Sequence, residues 1–223
     1  MSGVSGASTA PARVEGGAER DLDLLVLGDV NPDLVLADAD LQVAFGQAER
    51  LVESCELTVG GSGAIMACAA ARLGLRTAIA AVVGDDLFGR FMRDALAERG
   101  VDVSNVIVDA TVRTGVTVVL ARPDDRAIVT YPGAIAAMTA ERAPRELLAR
   151  ARHVHVSSYY LQTALAPGLP GLLGAARAGG TSTSLDPNWD PAERWDDGLL
   201  ELLAHLDVLM LNEAEALAIA RTA

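Results

Sequence analysis

The spacing of apolar and polar residues changes period repeatedly from residue 22 onward. Leu22–Leu27 is a short apolar run ending in Gly28-Asp29, as a buried strand entering a turn would be. Residues 62–73 read as a helix, with Ser62 placed to cap its start and Gly74 just past its end. Thr77–Val83 reads as a second buried strand. Over 86–99, Phe88, Phe91, Met92, Ala95 and Leu96 share one helical face, and Gly100 stops the helix. The pattern then predicts a helix over 139–151, a strand over 153–157 and a Gly- and Pro-broken helix over 168–178. A strand over 181–185, a helix over 191–204, a strand over 207–211 and a helix over 212–221 complete the series. Such alternation predicts an α/β fold: a three-layer α/β/α, doubly wound, mostly parallel sheet covered on both faces.

Two stretches break this rhythm. Residues 33–59 alternate as β-structure does and hold no good helix, and residues 113–131 read as a hairpin around Arg122-Pro123-Asp124-Asp125. Together they are expected to form a small β-sheet beside the main one, a lid able to close over a ligand and exclude water. Residues 1–20 are rich in Gly, Ser, Ala and Pro, so a disordered tail is expected there, followed by one domain over 21–223. No run of eighteen apolar residues occurs, so no membrane helix is expected and a cytoplasmic location is. The chain stops one helix after a strand, and truncation of the domain at its C-terminal end is therefore expected.

Composition narrows the chemistry. The 223 residues are 51% hydrophobic and 22% charged, an ordinary globular balance. A formal charge of −12 argues against nucleic acid and anionic membrane as partners. A small anion stays open, because a helix N-terminus or a metal reverses the local field. All 18 basic residues are arginine. Without lysine there is no P-loop Lys, no protein-kinase β3 Lys and no pyridoxal phosphate Schiff base, which excludes those three classes for these 223 residues. Cys55 and Cys68 are too few for a disulfide framework or a four-Cys zinc site, and Cys68 reads as a small buried hydrophobe. His153 and His155 alternate with Val154 and Val156 and lack a third ligand, so a structural role is preferred to a metal pair.

Three motifs carry chemistry. Gly28-Asp29-Val30-Asn31-Pro32-Asp33 follows the first strand, at the edge of an open sheet where ligands bind; it is also a sequence of turn residues. Val59-Gly60-Gly61-Ser62-Gly63-Ala64 leads into a helix, where glycines allow close backbone approach and the helix start offers free N–H donors. Asn212-Glu213-Ala214-Glu215 has the spacing of a capping box, and alternatively places Glu215 near hydrated magnesium and phosphate.

The order of these motifs resembles the ribokinase-like (PfkB) carbohydrate kinases over residues 22–221. Gly60 to Gly63, Ala69 to Gly74 and Val83 to Gly89 look like that family's N-terminal signature. Thr114-Gly115, Tyr131 to Ala134, Ser184 to Asn188 and Asn212 to Glu215 match later landmarks. The resemblance implies that Asn31 and Asp33 bind sugar hydroxyls and that Gly60 and Gly61 let backbone N–H groups reach the sugar. It implies that Asn212, Glu215 and Asn188 organise phosphate and magnesium, with no metal bound directly by the chain. ATP and Mg2+ are the implied cofactors, and a sugar or nucleoside is the implied partner. Two copies are expected to pair through the lid. The sequence departs from the pattern at Ile65, Ile135 and Asp190, where many or some members have Asn, Asn and Arg. It also lacks the Gly-x-Gly-Asp motif that carries the family's catalytic Asp, so no catalytic base is assigned and the base is expected beyond the C-terminus. The rival expectation is a non-catalytic binding or interaction protein descended from a kinase, and the reading frame after Ala223 would discriminate the two.

Overall fold

A computed structural model describes residues 20–221. The tail expected over 1–20 lies outside the described residues, except for Arg20, whose guanidinium donates to Gly180 O at 2.7 Å. Six strands form a parallel sheet: β1 (Leu22–Leu27), β4 (Thr77–Gly84), β5 (Asp102–Asp109), β8 (Ala151–Ser157), β9 (Ser182–Asp186) and β10 (Val208–Leu209). Their order is β10-β9-β8-β1-β4-β5. The chain leaves β1 toward β4 and β5, then returns to the other side of β1 as β8. Winding direction therefore reverses between β1 and β8, which opens a crevice at their C-terminal ends.

Helices cover both faces. On one side α1 (Ser62–Arg72) and α2 (Leu87–Glu98) pack Ala64, Ala67, Met92 and Leu96 against Val26, Ile79 and Val83. On the other, α3 (Arg145–Arg150), α4 (Leu169–Ala178), α5 (Leu199–Leu202) and α6 (Glu213–Ala220) supply Leu148, Leu172, Leu199 and Ile219 to a core with Leu25, Leu27 and Val156. The architecture is the expected three-layer α/β/α sheet. A second sheet, ordered β3-β2-β6-β7, stands beside it: β2 (Asn31–Ala37), β3 (Ser54–Gly60), β6 (Val116–Ala121) and β7 (Arg126–Tyr131). Arg122 N donates to Asp125 O at 2.8 Å and closes the β6–β7 turn.

Several local expectations need correction: the strand expected over 207–211 is only Val208–Leu209, and within the β stretch expected over 33–59 residues 38–53 hold no strand. The helix expected over 139–151 forms only at Arg145–Arg150, because Pro144 disfavours helical backbone in the residue before it and stands instead at the cap. The helix expected over 191–204 shrinks to Leu199–Leu202 and a 3-10 turn over Leu203–His205. Asp190 holds the preceding loop open by accepting the N–H groups of Ala192, Arg194 and Trp195 at 2.7–2.8 Å. Ser62 is the first residue of α1, not its cap; Gly61 takes that position. The pattern also passed over β5, an edge strand whose Asp102, Ser104 and Asn105 dilute its apolar signal.

Candidate functional site

The crevice at the β1–β8 switch point is lined by groups from four elements. Asp29 follows β1 and is 3% exposed. Its Oδ1 accepts the Gly63 N–H at 2.8 Å and the Ser157 hydroxyl at 3.1 Å; its Oδ2 accepts the Ser62 N–H at 3.1 Å. Its backbone carbonyl accepts the Ala64 N–H at 3.1 Å. The free N–H donors expected at the start of α1 are thus already spent on Asp29, a correction that follows from the strand end meeting the helix start. This approach needs glycine: a Cβ on Gly63 would lie 2.6 Å from Ser157 Oγ and 2.9 Å from Gly28 Cα.

Asn31, Asp33, Gly60 and Gly61 come together as a second part of the site. β2 and β3 pair antiparallel with Asn31 opposite Gly60 and Asp33 opposite Thr58. A Cβ on Gly60 would push the Asp33 carboxylate aside, and Gly61, with φ +79°, calls for glycine. Asn31 is buried; its amide nitrogen donates to Thr117 Oγ1 at 3.1 Å, while its Oδ1 is buried without a hydrogen-bond partner. Burial and then the Asp29 charge push the Asp33 carboxyl above its ordinary range, opposed by a hydrogen bond from Thr117 and by Arg126.

Asn188 joins the same cluster. Its amide nitrogen donates to Ser62 Oγ at 2.8 Å and Ser158 Oγ at 2.7 Å, and those two hydroxyls are 2.8 Å apart. Ser158 and Asn188 have left-handed backbone, φ 53° and 57°, uncommon for residues with side chains. Asp186 Oδ1 accepts the Asn188 N–H at 3.0 Å, and burial raises the Asp186 carboxyl despite that bond. Ser62, Ser157, Ser158 and Thr117 were not singled out as site residues from the sequence. The Ser157-Ser158 pair at the end of an apolar strand was the available signal, since that edge is where open sheets bind ligands.

Asn212 and Glu215 lie on the same sheet edge, just past β10. They form a full capping box: Asn212 Oδ1 accepts the Glu215 N–H at 2.9 Å, and Glu215 Oε2 accepts the Asn212 N–H at 3.1 Å. A clasp at the root of the second sheet accounts for the Val83–Gly89 and Thr114-Gly115 motifs. Asp86 caps α2 through the Gly89 N–H at 2.9 Å, and accepts the Thr114 N–H and hydroxyl at 2.9 and 2.7 Å. Thr114 Oγ1 in turn accepts the Gly84 N–H at 2.8 Å.

The histidines are in a closed ladder. Ser182 Oγ donates to Arg152 O, so it accepts from His153 Nδ1 at 2.8 Å; His153 Nε2 then accepts from Ser184 Oγ at 2.6 Å, which accepts from His155 Nδ1 at 2.8 Å. Burial, and secondarily His153, holds His155 down at about 4, neutral at physiological pH. Among the described residues no group of three or more His, Cys, Asp or Glu could hold a metal ion.

Comparison with known proteins shows the family and the fold. The family model described as pfkB family carbohydrate kinase matches residues 21–223. A ribokinase from Haemophilus influenzae is 30% identical over 195 residues, covering 86% of this chain and 60% of that protein. A solved PfkB protein from Polaromonas sp. JS666 superposes with a TM-score of 0.77 at 26% identity, over 91% of this chain and 70% of that one. An Escherichia coli protein described as a putative ribokinase II, in complex with ATP and Mg2+, shares the fold with a TM-score of 0.74 at 22% identity, over 89% of this chain and 64% of that one. The chain spans 51% to 63% of the length of the first curated relatives it matches.

Proposed function

The chain belongs to the pfkB family of carbohydrate kinases, and from that premise we propose that it forms the acceptor-binding part of an ATP-dependent sugar or nucleoside kinase. One observation carries this: Asn31 and Asp33 present oxygen acceptors over the backbone of Gly60 and Gly61, and Asn31 Oδ1 is buried with nothing to accept from. A buried acceptor without a donor costs about 1–3 kcal/mol, which a ligand hydroxyl would recover. A carboxylate and an amide side by side accept two hydroxyls in fixed geometry.

Transfer of the γ-phosphoryl group needs alignment, charge neutralisation and a base. Residues of the crevice supply alignment, and the second sheet, clasped at Thr114, would exclude water over it. ATP with Mg2+ supplies the phosphoryl group when bound. The donor set at the β10 edge fits a hydrated magnesium: the capping box uses Glu215 Oε2 and leaves the second carboxylate oxygen of that residue outside the cap, a hard oxygen suited to magnesium-bound water. Asn188, through Ser62 and Ser158, would hold the crevice in register with that edge. The Gly-x-Gly-Asp motif is absent from these 223 residues, so the 223 residues by themselves are expected to show no sugar-dependent ATP turnover.

Pairing of two copies through the second sheet is part of the same proposal. Leu57, Ile128 and Val129 on that sheet are 39%, 55% and 61% exposed. A hollow on it, lined by Leu41, Val43, Leu120 and Val129 with Arg122, Asp125 and Arg126 among them, would meet a second copy.

The test is acceptor titration against the Asp33 variants. Asp33→Ala is expected to weaken acceptor binding about 10–150-fold, the effect of losing a charged hydrogen bond, while leaving nucleotide binding in the full-length enzyme. Unchanged acceptor affinity in Asp33→Ala and Asp33→Asn alike would remove the site.

A further inference from the structure

We propose that the acceptor taken by this crevice carries no phosphate or carboxylate, and that Asp29 enforces this by filling the crevice's anion site with the chain's own carboxylate. The inference rests on the kinase assignment above and narrows its substrate class. A glycine-rich turn entering a helix is a ready-made anion site, because unpaired N–H groups and the helix dipole both point at the ligand. Here the N–H groups of Ser62, Gly63 and Ala64 all end on Asp29, two on its carboxylate and one on its carbonyl. The Ile65 N–H is taken by Gly61 O at 2.9 Å. The N–H groups of Ser62 to Ile65 are therefore all taken, and an anionic ligand would have to displace the Asp29 carboxylate to reach the Ser62 and Gly63 donors.

What remains unpaired is of the opposite kind. Asn31 Oδ1 is a buried acceptor without a donor, and the ionised Asp33 carboxylate beside Gly60 is an acceptor with no proton to give. Hydroxyl groups satisfy both, since each brings a proton. A phosphate dianion or a carboxylate brings none and meets Asp29, Asp33 and, beyond Asn188, Asp186. The cation whose charge acts on Asp33 is Arg126, exposed at the start of β7. Asp190 cannot reverse the field: it is buried and accepts three backbone N–H groups of its own loop.

The experiment has two arms. In the first, the chain is titrated by calorimetry with D-ribose, D-fructose and adenosine, and with D-ribose 1-phosphate and D-gluconate. At least one neutral compound is expected to bind about tenfold or more tightly than either anion. An anion binding as tightly as the neutral compounds overturns the inference and leaves the kinase assignment standing. Binding of none of the five overturns both. In the second arm, inorganic phosphate is titrated against wild type, Asp29→Ala and Asp29→Asn, with the Gly63 amide followed by NMR and folding checked by circular dichroism. Wild type is expected to show no shift at Gly63, and a folded Asp29 variant a saturable one. Phosphate-dependent shifts in wild type, or none in a folded variant, would overturn the role given to Asp29. If Asp29→Ala fails to fold, Asp29→Asn keeps the side-chain volume and decides the point.

Discussion

The two sheets of this protein are built from similar residues and sit in opposite surroundings. β4, Thr-Ala-Ile-Ala-Ala-Val-Val-Gly, is buried at all eight positions; β7, Arg-Ala-Ile-Val-Thr-Tyr, is exposed at five of six. The difference is made by the connections. Strands of the six-stranded sheet are joined through helices that fold back over both faces, whereas β2, β3, β6 and β7 are linked by turns and irregular chain. The first sheet is thus held by a core. The second is held by strand pairing and by its root, the Asp86–Thr114 clasp. A sheet held that way can serve as a moving cover, because few buried contacts resist its displacement.

The sharpest way to break the comparison is to truncate matched apolar residues. Leu25→Ala, fully buried in β1, is expected to cost about 2–5 kcal/mol in a urea denaturation series. A loss under about 1 kcal/mol would deny the main sheet its core role. The joint between the sheets comes next. Thr114→Val keeps the shape but strips the hydroxyl that pairs with Asp86 and the Gly84 N–H, and is expected to cost about 1–3 kcal/mol, with faster exchange of the Gly84 amide.

Acid titration separates the same two regions by sign. Asp33 has its carboxyl raised, chiefly by burial, so the folded state holds that proton more tightly than the unfolded one; its contribution to stability declines as pH rises from 3.8 through the raised folded value. Asp86 is the reverse: burial would raise its carboxyl, but the bonds from Gly89 and Thr114 outweigh it and lower the net value. Its stabilisation is present above 3.8 and fades as pH falls through the lowered folded value. Carboxyl NMR titration of wild type, Asp33→Asn and Asp86→Asn checks both directions, and acceptor affinity should weaken in acid at a pH above the usual Asp range. The smallest effect is expected at Val129→Ala on β7, within about 0.5 kcal/mol for the isolated protomer, with any larger effect appearing only as a change in self-association by sedimentation.

Much of this was legible in the residues. Leu22–Leu27, the 62–73 helix, the 113–131 hairpin and the capping spacing of Asn212 and Glu215 all follow from local periodicity and turn chemistry, which act between near neighbours. What failed locally failed where a single proline, a loop carboxylate or polar residues diluting a strand outweighed the periodic pattern. Pro144 cut one helix short, and Asp190 tied up the backbone that another would have used. In the site, Asn31, Asp33, Gly60 and Gly61 were named from their motifs, whereas Ser157 and Ser158 were not.

By itself, then, the sequence determined most of the alternation of strands and helices, the absence of lysine chemistry and the motif residues Asn31, Asp33, Gly60 and Gly61, because each is written in short-range order or composition. Only the tertiary structure decided that β1 and β8 flank the winding reversal. It also decided that Asn188 meets Ser62 across 126 positions, and that Asp29 occupies the start of α1. Hydrogen bonds between groups that far apart in the chain depend on which strands become neighbours, and no local pattern encodes that.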